Sequence, residues 1–342
     1  MSEYLLSFLA LAILAPSHVS GICTGPNTRT TPPVGAIVVD ATGAYNGSFS
    51  SANAAVATLR NQTASQTLFF MPGVYEEQIL ISPLEGPLVL QGYTCDSTSY
   101  ADNEVTITHA LAQKDIPDTV TGETRNDLTS TVRFKSANTK VYNLNIANTA
   151  GNVGQALAIN VNATNQAFYG CNFTGYQDTV LADKGRQLYV NSFISGATDF
   201  IFGRYAQAWF ESCDLESIGP GYITASGRES ANSSAIYVFN NAKVTGTSGT
   251  ASTYLGRPWR RWAQVVFQNS NLSDVVSPQG WAQWDNSTST DEVIFQEFKN
   301  SGAGADTTSR VAFSSQRDAA VVIADVLGAG FETEEWIDMT YL

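Results

Sequence analysis

Six short segments decide the fold, and they read VYNLNI (141–146), AFYGCNF (167–173), QLYVNSF (187–193), AWFESCDL (208–215), IYVFNNAKV (236–244) and QVVFQNSNL (264–272). Each alternates apolar with polar residues and is separated from the next by Gly, Asn, Asp or Ser, as β-strands are. Their last apolar residues are spaced by 27, 20, 22, 29 and 28 residues and form the ladder Ile146, Phe173, Phe193, Leu215, Val244 and Leu272. A strand repeat of this length indicates a parallel β-helix, in which each coil stacks on the previous one.

Two other all-β architectures fit these segments less well. A propeller needs about four strands per 40 to 50 residues, and a sandwich has tight two-residue hairpin turns, which are scarce here. Helical signals are confined to residues 51–60 and 317–327. We therefore predict an all-β chain, a single-stranded parallel β-helix with a short N-terminal helix.

The composition predicts a folded, exported protein. Of the 342 residues, 43% are hydrophobic and 14% are charged, which leaves ample apolar surface for a core. The apolar run LLSFLALAILA (5–15) is too short to span a bilayer and precedes small residues, so residues 1–20 resemble a signal peptide with cleavage between 17 and 21. Residues 21–342 then form one domain, and we expect it to be secreted and extracellular.

The net charge limits the kinds of molecule that the chain is expected to bind. With 18 basic and 31 acidic side chains the net charge is −13, which argues against nucleic acid and anionic membranes as partners.

The four cysteines allow three disulfide pairings. In the ladder Cys171 and Cys213 lie two coils apart, roughly 9.6 Å, so we predict that these two do not bridge. Seven glycosylation sequons begin at Asn46, Asn61, Asn162, Asn172, Asn232, Asn271 and Asn286.

Two aspartates recur one coil apart. The pattern Gly-x-x-Asp-x-apolar occurs at GYQDTV (175–180) and again at GATDFI (196–201), which places Asp178 and Asp199 at neighbouring strand positions about 5 Å apart. Two carboxylates this close titrate as a unit, so one can attack while the other donates a proton. Stacked acidic side chains also occur in β-helices as purely structural ladders, and spacing alone favours that interpretation.

The sequence lacks the residue patterns that other hydrolytic mechanisms require. A Ser-His-Asp hydrolase would need His109, and no Gly-x-Ser-x-Gly elbow accompanies it. No zinc-ligand spacing and no phosphate-binding loop after a strand is present in the sequence. We expect a reaction that needs no cofactor and no metal.

Five stretches resemble the motifs of the pectin methylesterase family, in the same order: GVYEE (73–77), QALAI (155–159), GYQDTV (175–180), DFIFG (199–203) and LGRPW (255–259). The likeness extends over nearly the whole chain after the N-terminal segment. It implies a right-handed parallel β-helix, of the fungal or microbial type without the inhibitory pro-region of many plant members. It also implies methyl-esterified pectin, a polygalacturonate, as the partner, and a monomer.

The resemblance assigns roles to individual residues. Asp199 matches the nucleophile and Asp178 the general acid and base. Gln155 and Gln177 match the amides that hold the oxyanion, and Arg257 matches the guanidinium that orients the nucleophile and keeps it ionised. Trp259 and Trp281 match aromatic residues of the sugar-binding cleft. The function implied is hydrolysis of galacturonate C6 methyl esters to de-esterified pectin and methanol.

Two alternatives remain open at this point. A β-helix glycoside hydrolase or lyase acting on polygalacturonate could also use two close carboxylates. The second alternative is a non-catalytic wall-binding or adhesin-like β-helix, which would require one of Asp178, Asp199 or Arg257 to be lost, and all three are present. The products of the reaction distinguish these three classes.

Overall fold

The computed structural model describes residues 23–285, 287 and 289–342, so the predicted signal peptide lies outside the described residues. Within the described chain, 23 strands form one continuous parallel assembly. Their bounds are β1 Ile37–Val39, β2 Gln66–Phe70, β3 Gly73–Glu76, β4 Ile79–Ile81, β5 Leu88–Gly92, β6 Val105–His109, β7 Val132–Phe134, β8 Thr139–Tyr142, β9 Asn145–Asn148, β10 Ile159–Asn162, β11 Gln166–Tyr169, β12 Asn172–Thr174, β13 Val180–Val190, β14 Phe193–Gly203, β15 Tyr205–Glu211, β16 Asp214–Ser226, β17 Ile236–Asn240, β18 Lys243–Gly246, β19 Thr253–Pro258, β20 Gln264–Gln268, β21 Asn271–Leu272, β22 Ile294–Phe298 and β23 Ser314–Gln316.

The strands stack in three columns, which we call the first, second and third faces. The first face runs from β1 and β2 through β5, β8, β11, β13, β15, β17 and β20 to β22 and β23. The second contains β3, β6, β9, β12, β14, β16, β18 and β21. The third contains β4, β7 and β10, parts of β13, β14 and β16, and β19. Every pairing is parallel, and the predicted parallel β-helix is confirmed.

Helices are short and peripheral. The predicted N-terminal helix is present as α1, Ala52–Val56, where the Ser51 side chain accepts a hydrogen bond from Ala54 N at 3.0 Å and caps the first turn. A second helix, α2 at Glu123–Thr129, was not predicted. The helical signal at residues 317–327 corresponds to α3, Ile323–Leu327. Single 3₁₀ turns occupy Gln113–Asp115, Phe331–Thr333 and Met339–Tyr341.

A stack of aromatic rings fills the coil interior behind the first face. Successive rings lie 4.8, 4.5, 4.4 and 4.3 Å apart, nearly parallel, in the order Phe168, Tyr189, Phe210, Phe239 and Phe267. These residues are also Cα partners in the strand register. Offset aromatic pairs add about 0.5–1.5 kcal/mol each beyond their burial. The stack therefore favours the register that keeps the coils aligned.

One rung of the sequence ladder was assigned wrongly. In the second face Phe173 pairs with Ile194, and Ile194 pairs with Leu215. Phe193 instead faces outward and packs against Tyr100 at 5.4 Å. Successive strand residues point to opposite sides, so a shift of one residue exchanges an interior with an exterior side chain. The quoted segment ends at Phe193, the first residue of β14, one residue before the inward-facing Ile194.

The cysteine prediction is confirmed. Cys23 and Cys95 form a disulfide, while Cys171 and Cys213 are free and buried. Ser192 lies in the coil between the two free thiols and accepts a hydrogen bond from Cys171 N at 3.1 Å.

The described sequon asparagines differ in exposure. Asn46, Asn61, Asn232 and Asn271 are exposed, whereas Asn162 and Asn172 are partly buried, and Asn286 lies outside the described residues. The four exposed positions are the accessible glycosylation candidates.

Candidate active site

Asp178 and Asp199 occupy equivalent turns between the second and third faces in consecutive coils. Asp178 N donates to Thr198 O at 3.1 Å, and Gln177 pairs with Thr198, so the two aspartates are neighbours across one coil step. Adjacent strands lie about 4.8 Å apart. The structure therefore brings the two carboxyl groups together as the repeat predicts.

Both aspartates have left-handed backbone conformations, with φ of 64° at Asp178 and 51° at Asp199. Such a conformation is uncommon for a residue with a side chain, although aspartate adopts it more readily than most. The glycine three residues earlier makes room for each turn. A Cβ on Gly196 would lie 2.3 Å from Phe200 Cβ, and one on Gly175 would lie 2.8 Å from Thr179 Oγ1. This explains physically why the motif is Gly-x-x-Asp.

Arg257, on β19 of the third face, holds one of the two carboxylates. Its Nε donates to Asp199 Oδ1 at 2.9 Å and its Nη2 donates to Asp199 Oδ2 at 2.7 Å. This two-pronged arrangement uses the planar fork of the guanidinium and fixes the rotation of the carboxylate. Among the described residues, the Asp178 carboxyl group has no hydrogen-bond partner.

Two aromatic rings enclose Arg257. The Tyr222 and Trp284 ring centroids each lie 4.1 Å from the guanidinium carbon. Tyr222 also stacks on Tyr254, with ring centroids 5.6 Å apart. Cations over aromatic faces are attracted electrostatically, more strongly when they are removed from water. The arginine is therefore held on both faces as well as by Asp199.

The environments of the two carboxyl groups separate their proton affinities. Burial raises the pKa of Asp178 well above its ordinary value, the nearby Asp199 raises it further, and Arg257 opposes the shift. Burial also raises the pKa of Asp199, but two hydrogen bonds from Arg257 and its positive charge counteract this. Among the described residues, Asp199 receives hydrogen bonds that favour its anion and Asp178 receives none. These environments favour the protonated form of Asp178 over that of Asp199.

The aspartate pair lies in a cavity of about 210 Å³, here called the catalytic cavity. Its lining includes Gln155, Gln177 and Arg257, together with Asn126, Asp178, Asp199, Phe202, Ala225, Trp259 and Trp284. Phe202 and Ala225 are in register across neighbouring coils and supply apolar surface to this cavity, and Leu181 is the register partner of Phe202 in the preceding coil. Six of the seven residues singled out in the sequence, all except Trp281, therefore meet around one cavity.

Trp281 is the exception, and its predicted place in the cleft is wrong. The side chain has no exposed surface, stacks on Phe295 at 4.3 Å, and donates from Nε1 to Glu297 at 3.3 Å. Trp284, three residues later, lines the catalytic cavity instead. A spacing of three residues in an irregular segment gives no sign of which ring turns inward, so the sequence could not separate them.

The sequence analysis did not predict Asn126 and Phe202, which line the cavity, or Tyr222, which contacts Arg257. Asn126 comes from the unpredicted helix α2, and Phe202 from the third-face part of β14. Phe202 belongs to the DFIFG motif, which was a usable signal. Tyr222 lies outside that motif set and reaches the site only through Arg257.

A metal-binding arrangement is not evident at this site. Within the described part of the chain, the group of side chains close enough together to share an ion is Cys23, Cys95 and Glu104, whose cysteines form the disulfide. The chemistry available to the catalytic cavity is that of two carboxyl groups, a guanidinium and amides.

Residues 36–337 match the family model described as Pectinesterase. A pectinesterase of Aspergillus aculeatus is 43% identical over 345 residues, covering 98% of this chain and 99% of the relative. One of Aspergillus niger is 41% identical over 324 residues, covering 92% and 94%.

Solved structures show the same relationship. A pectin methylesterase from Aspergillus niger has a TM-score of 0.83 and 39% identity, covering 92% of this chain and all of the other. Pectin methylesterase from carrot has a TM-score of 0.75 and 28% identity, covering 84% and 90%. Fold, cavity and similarities together define a carboxylic ester hydrolase built on a parallel β-helix. The chain belongs to the pectinesterase family, as its motifs indicated.

Proposed function

We propose that the chain hydrolyses the C6 methyl esters of galacturonate in pectin, with Asp199 as nucleophile and Asp178 as general acid and then general base. The observation that carries this proposal is the asymmetry of the pair, because Arg257 binds Asp199 in two-pronged fashion while the buried Asp178 carboxyl group has no hydrogen bond from a described residue. An ionised carboxylate can attack, and a protonated neighbour can donate.

The proposed reaction has two stages, formation of an acyl-enzyme on Asp199 and its hydrolysis. An Asp199 oxygen attacks the ester carbonyl carbon, and the resulting oxyanion collapses as the bond to the methoxy oxygen breaks. Asp178 gives its proton to that oxygen, and methanol leaves. Asp178, now ionised, takes a proton from water, whose oxygen attacks the acyl-enzyme carbonyl. Asp199 is released as a carboxylate, the galacturonate carboxyl group is freed, and Asp178 is protonated again.

Gln155 and Gln177 are the proposed oxyanion donors. Both line the catalytic cavity and come from adjacent coils, since Ala156 N donates to Gln177 O at 3.1 Å. Preorganised amide donors of this kind contribute about 2.7–4 kcal/mol to lowering a barrier. Trp259 and Trp284 supply apolar surface for the sugar ring at the same cavity. Substitution of either glutamine tests this role.

The setting is proposed to be extracellular, with the chain acting as a monomer on methyl-esterified pectin. The Cys23–Cys95 disulfide is of the kind that forms in oxidising compartments. Relatives are named pectinesterase or pectin methylesterase, and a solved one carries an N-acetylglucosamine stub. The described residues contain no helix long and apolar enough to cross a membrane. Detection of the glycosylated chain in culture medium tests the location.

The decisive experiment measures methanol and reducing ends released from highly methylated pectin. Wild type should release methanol without reducing ends, and Asp199→Asn should release neither. Asp102→Asn, which neutralises an exposed aspartate, is the matched control and should behave as wild type. Reducing ends or unsaturated ends without methanol would overturn the esterase in favour of the glycoside hydrolase or lyase. Activity retained in Asp199→Asn would overturn the nucleophile assignment.

A further inference from the structure

A second cavity, of about 230 Å³, adjoins the catalytic cavity and is here called the adjoining cavity. The two share Asn126, Phe202 and Trp259. Leu181, Phe202 and Ala225 are in register across three coils. Leu181 and Phe202 line the adjoining cavity and Phe202 and Ala225 line the catalytic cavity, so one apolar strip continues from one cavity into the other. A polymer whose reacting unit occupies the catalytic cavity therefore extends its neighbouring unit into the adjoining one.

Three carboxylates line the adjoining cavity, and they differ in whether a positively charged side chain pairs with them. Asp127 is paired with Lys135 at 2.9 Å and with Arg133 at 3.7 Å. Glu123 forms an ion pair with Arg204. Asp183 forms no ion pair with any described residue. The cavity thus presents one carboxyl group without an ion-pair partner among the described residues. Burial raises the pKa of Asp183, and hydrogen bonds and the positive charge of Lys184 oppose this shift and favour the anion.

Asp183 reaches this position through a β-bulge. Val161 pairs with Ala182 and Asn162 pairs with Lys184, so Asp183 is the extra residue between them. Bulges re-aim side chains next to active sites. The Asp183 side chain is only 6% exposed, and it accepts a hydrogen bond from Asn162 Nδ2 at 2.6 Å.

A buried acceptor belongs to another residue that lines the same cavity. The amide of Asn160 donates to Asp127 Oδ1 at 2.7 Å, while Asn160 Oδ1 is buried with no hydrogen-bond partner among the described residues. Asn160 is 3% exposed and lines the adjoining cavity. Unpaired acceptors in a binding cavity fit the hydroxyl donors of a sugar, and they do not fit a second anion.

We propose that Asp183 selects for a methyl-esterified galacturonate next to the reacting unit, because a free carboxylate in the adjoining cavity would be repelled by it. This inference rests on the proposed function. An ester at that position is uncharged and avoids the repulsion. Like charges brought together at a desolvated interface are strongly unfavourable, so we expect about tenfold discrimination from this one residue.

The first test compares methanol release from two pectins of equal chain length, one highly esterified and one partly de-esterified at random. Asp183→Asn, which removes the charge at nearly constant volume, should raise the rate on the second pectin about tenfold relative to the first. Asp183→Ser is the second variant and should shift the ratio in the same direction. Thermal unfolding verifies that each variant is folded.

Glu76→Gln is the matched control, because Glu76 is exposed on β3 and lines neither cavity. It removes the same charge from the protein as a whole. An unchanged ratio in the Asp183 variants would overturn the proposal. An equal change in Glu76→Gln would also overturn it, since net charge and not Asp183 would then be the cause.

A binding measurement separates this proposal from the proposed function. Fully de-esterified oligogalacturonate is titrated against each protein, with tryptophan fluorescence as the signal because Trp259 lines both cavities. Asp183→Asn should bind about tenfold more tightly than wild type. This result does not depend on turnover. A wild type that released no methanol would refute the esterase, whereas equal binding by both proteins would refute the role of Asp183.

Discussion

Arg257 and Asp199 form a two-pronged ion pair across the third face, with N–O distances of 2.9 and 2.7 Å. One coil lies between the coil of Asp199 and that of Arg257, since Phe202 pairs with Ala225 and Ala225 pairs with Arg257. The β-helix thereby places an arginine where it can stabilise the anion of the proposed nucleophile. Asp178 receives no such stabilisation from any described residue, and the proposed division of roles between the two aspartates rests on this difference.

Arg257→Lys tests the importance of the two-pronged contact. An ammonium keeps the charge but loses the planar fork, and a charge-assisted hydrogen bond is worth about 1.5–3 kcal/mol. We expect kcat/KM to fall about 10- to 100-fold. Because Arg257 lowers the pKa of Asp199, weakening it raises that pKa, and the acid limb of the pH profile should move to higher pH. Methanol release measured against pH gives both quantities, and an unmoved acid limb would contradict the assignment.

Tyr222 is a positioning residue, since its ring covers Arg257 and it does not line the catalytic cavity. Tyr222→Leu removes the cation–π contact, worth about 0.5–2 kcal/mol, so kcat should drop about 2- to 30-fold with little change in KM. Tyr222→Phe keeps the ring and should restore the rate. If the phenylalanine variant were as impaired as the leucine variant, the hydroxyl group and not the ring would be the relevant feature.

Asp178→Asn should stabilise the protein while abolishing turnover. Burial raises the pKa of Asp178, so folding favours the protonated form. That contribution to stability is fully present below the ordinary aspartate pKa and is lost as pH rises through the raised value. Above it, the wild type keeps a buried charge that the amide lacks, and the variant should be more stable by about 1–3 kcal/mol.

Thermal unfolding measured from pH 4 to pH 8 tests this sign. The wild type and Asp178→Asn should unfold at similar temperatures near pH 4 and diverge as pH rises. Asp102→Asn, at an exposed aspartate, should follow the wild type throughout. A variant less stable than wild type at pH 8 would show that Asp178 is stabilised as an anion.

The coil repeat and the aspartate pair could be predicted because both depend on spacing along the chain. Strand alternation recurs at each coil, and Gly-x-x-Asp recurs one coil apart, so Asp178 and Asp199 had to stack once the repeat was found. The glycine in that motif has a steric cause, visible in the 2.3 Å approach that a Cβ on Gly196 would make. The spacing of the repeat along the chain was therefore sufficient to predict that Asp178 and Asp199 are neighbours.

Side-chain direction could not be predicted where the backbone departs from the repeat. Phe193 and Ile194 are both apolar and adjacent, and only the packed interior decides which one turns inward. Asp183 is the extra residue of a bulge, which has no sign in the local sequence. Helix α2 supplies Asn126 to the cavity, yet its sequence has little apolar periodicity. Tertiary packing determined each of these positions.

Trp281 and Trp284 allow a test of side-chain direction, because one ring lies in the core and the other lines the catalytic cavity. Trp281→Phe keeps a ring on Phe295 but leaves Glu297, which is 1% exposed, without the indole donor. Loss of a hydrogen bond to a buried charged group should destabilise the protein by about 1.5–3 kcal/mol. KM should not change, because no surface of Trp281 reaches the cavity.

Trp284→Ala should have the opposite pattern. It opens the catalytic cavity and uncovers one face of Arg257, so KM should rise and kcat should fall. Stability should change by less than about 1 kcal/mol, since the side chain is partly exposed and outside the coil interior. Kinetics on methylated pectin and thermal unfolding, measured on both variants, distinguish the two rings. A rise in KM for Trp281→Phe at unchanged stability would return Trp281 to the cleft, because a ring confined to the core can influence binding only through the fold.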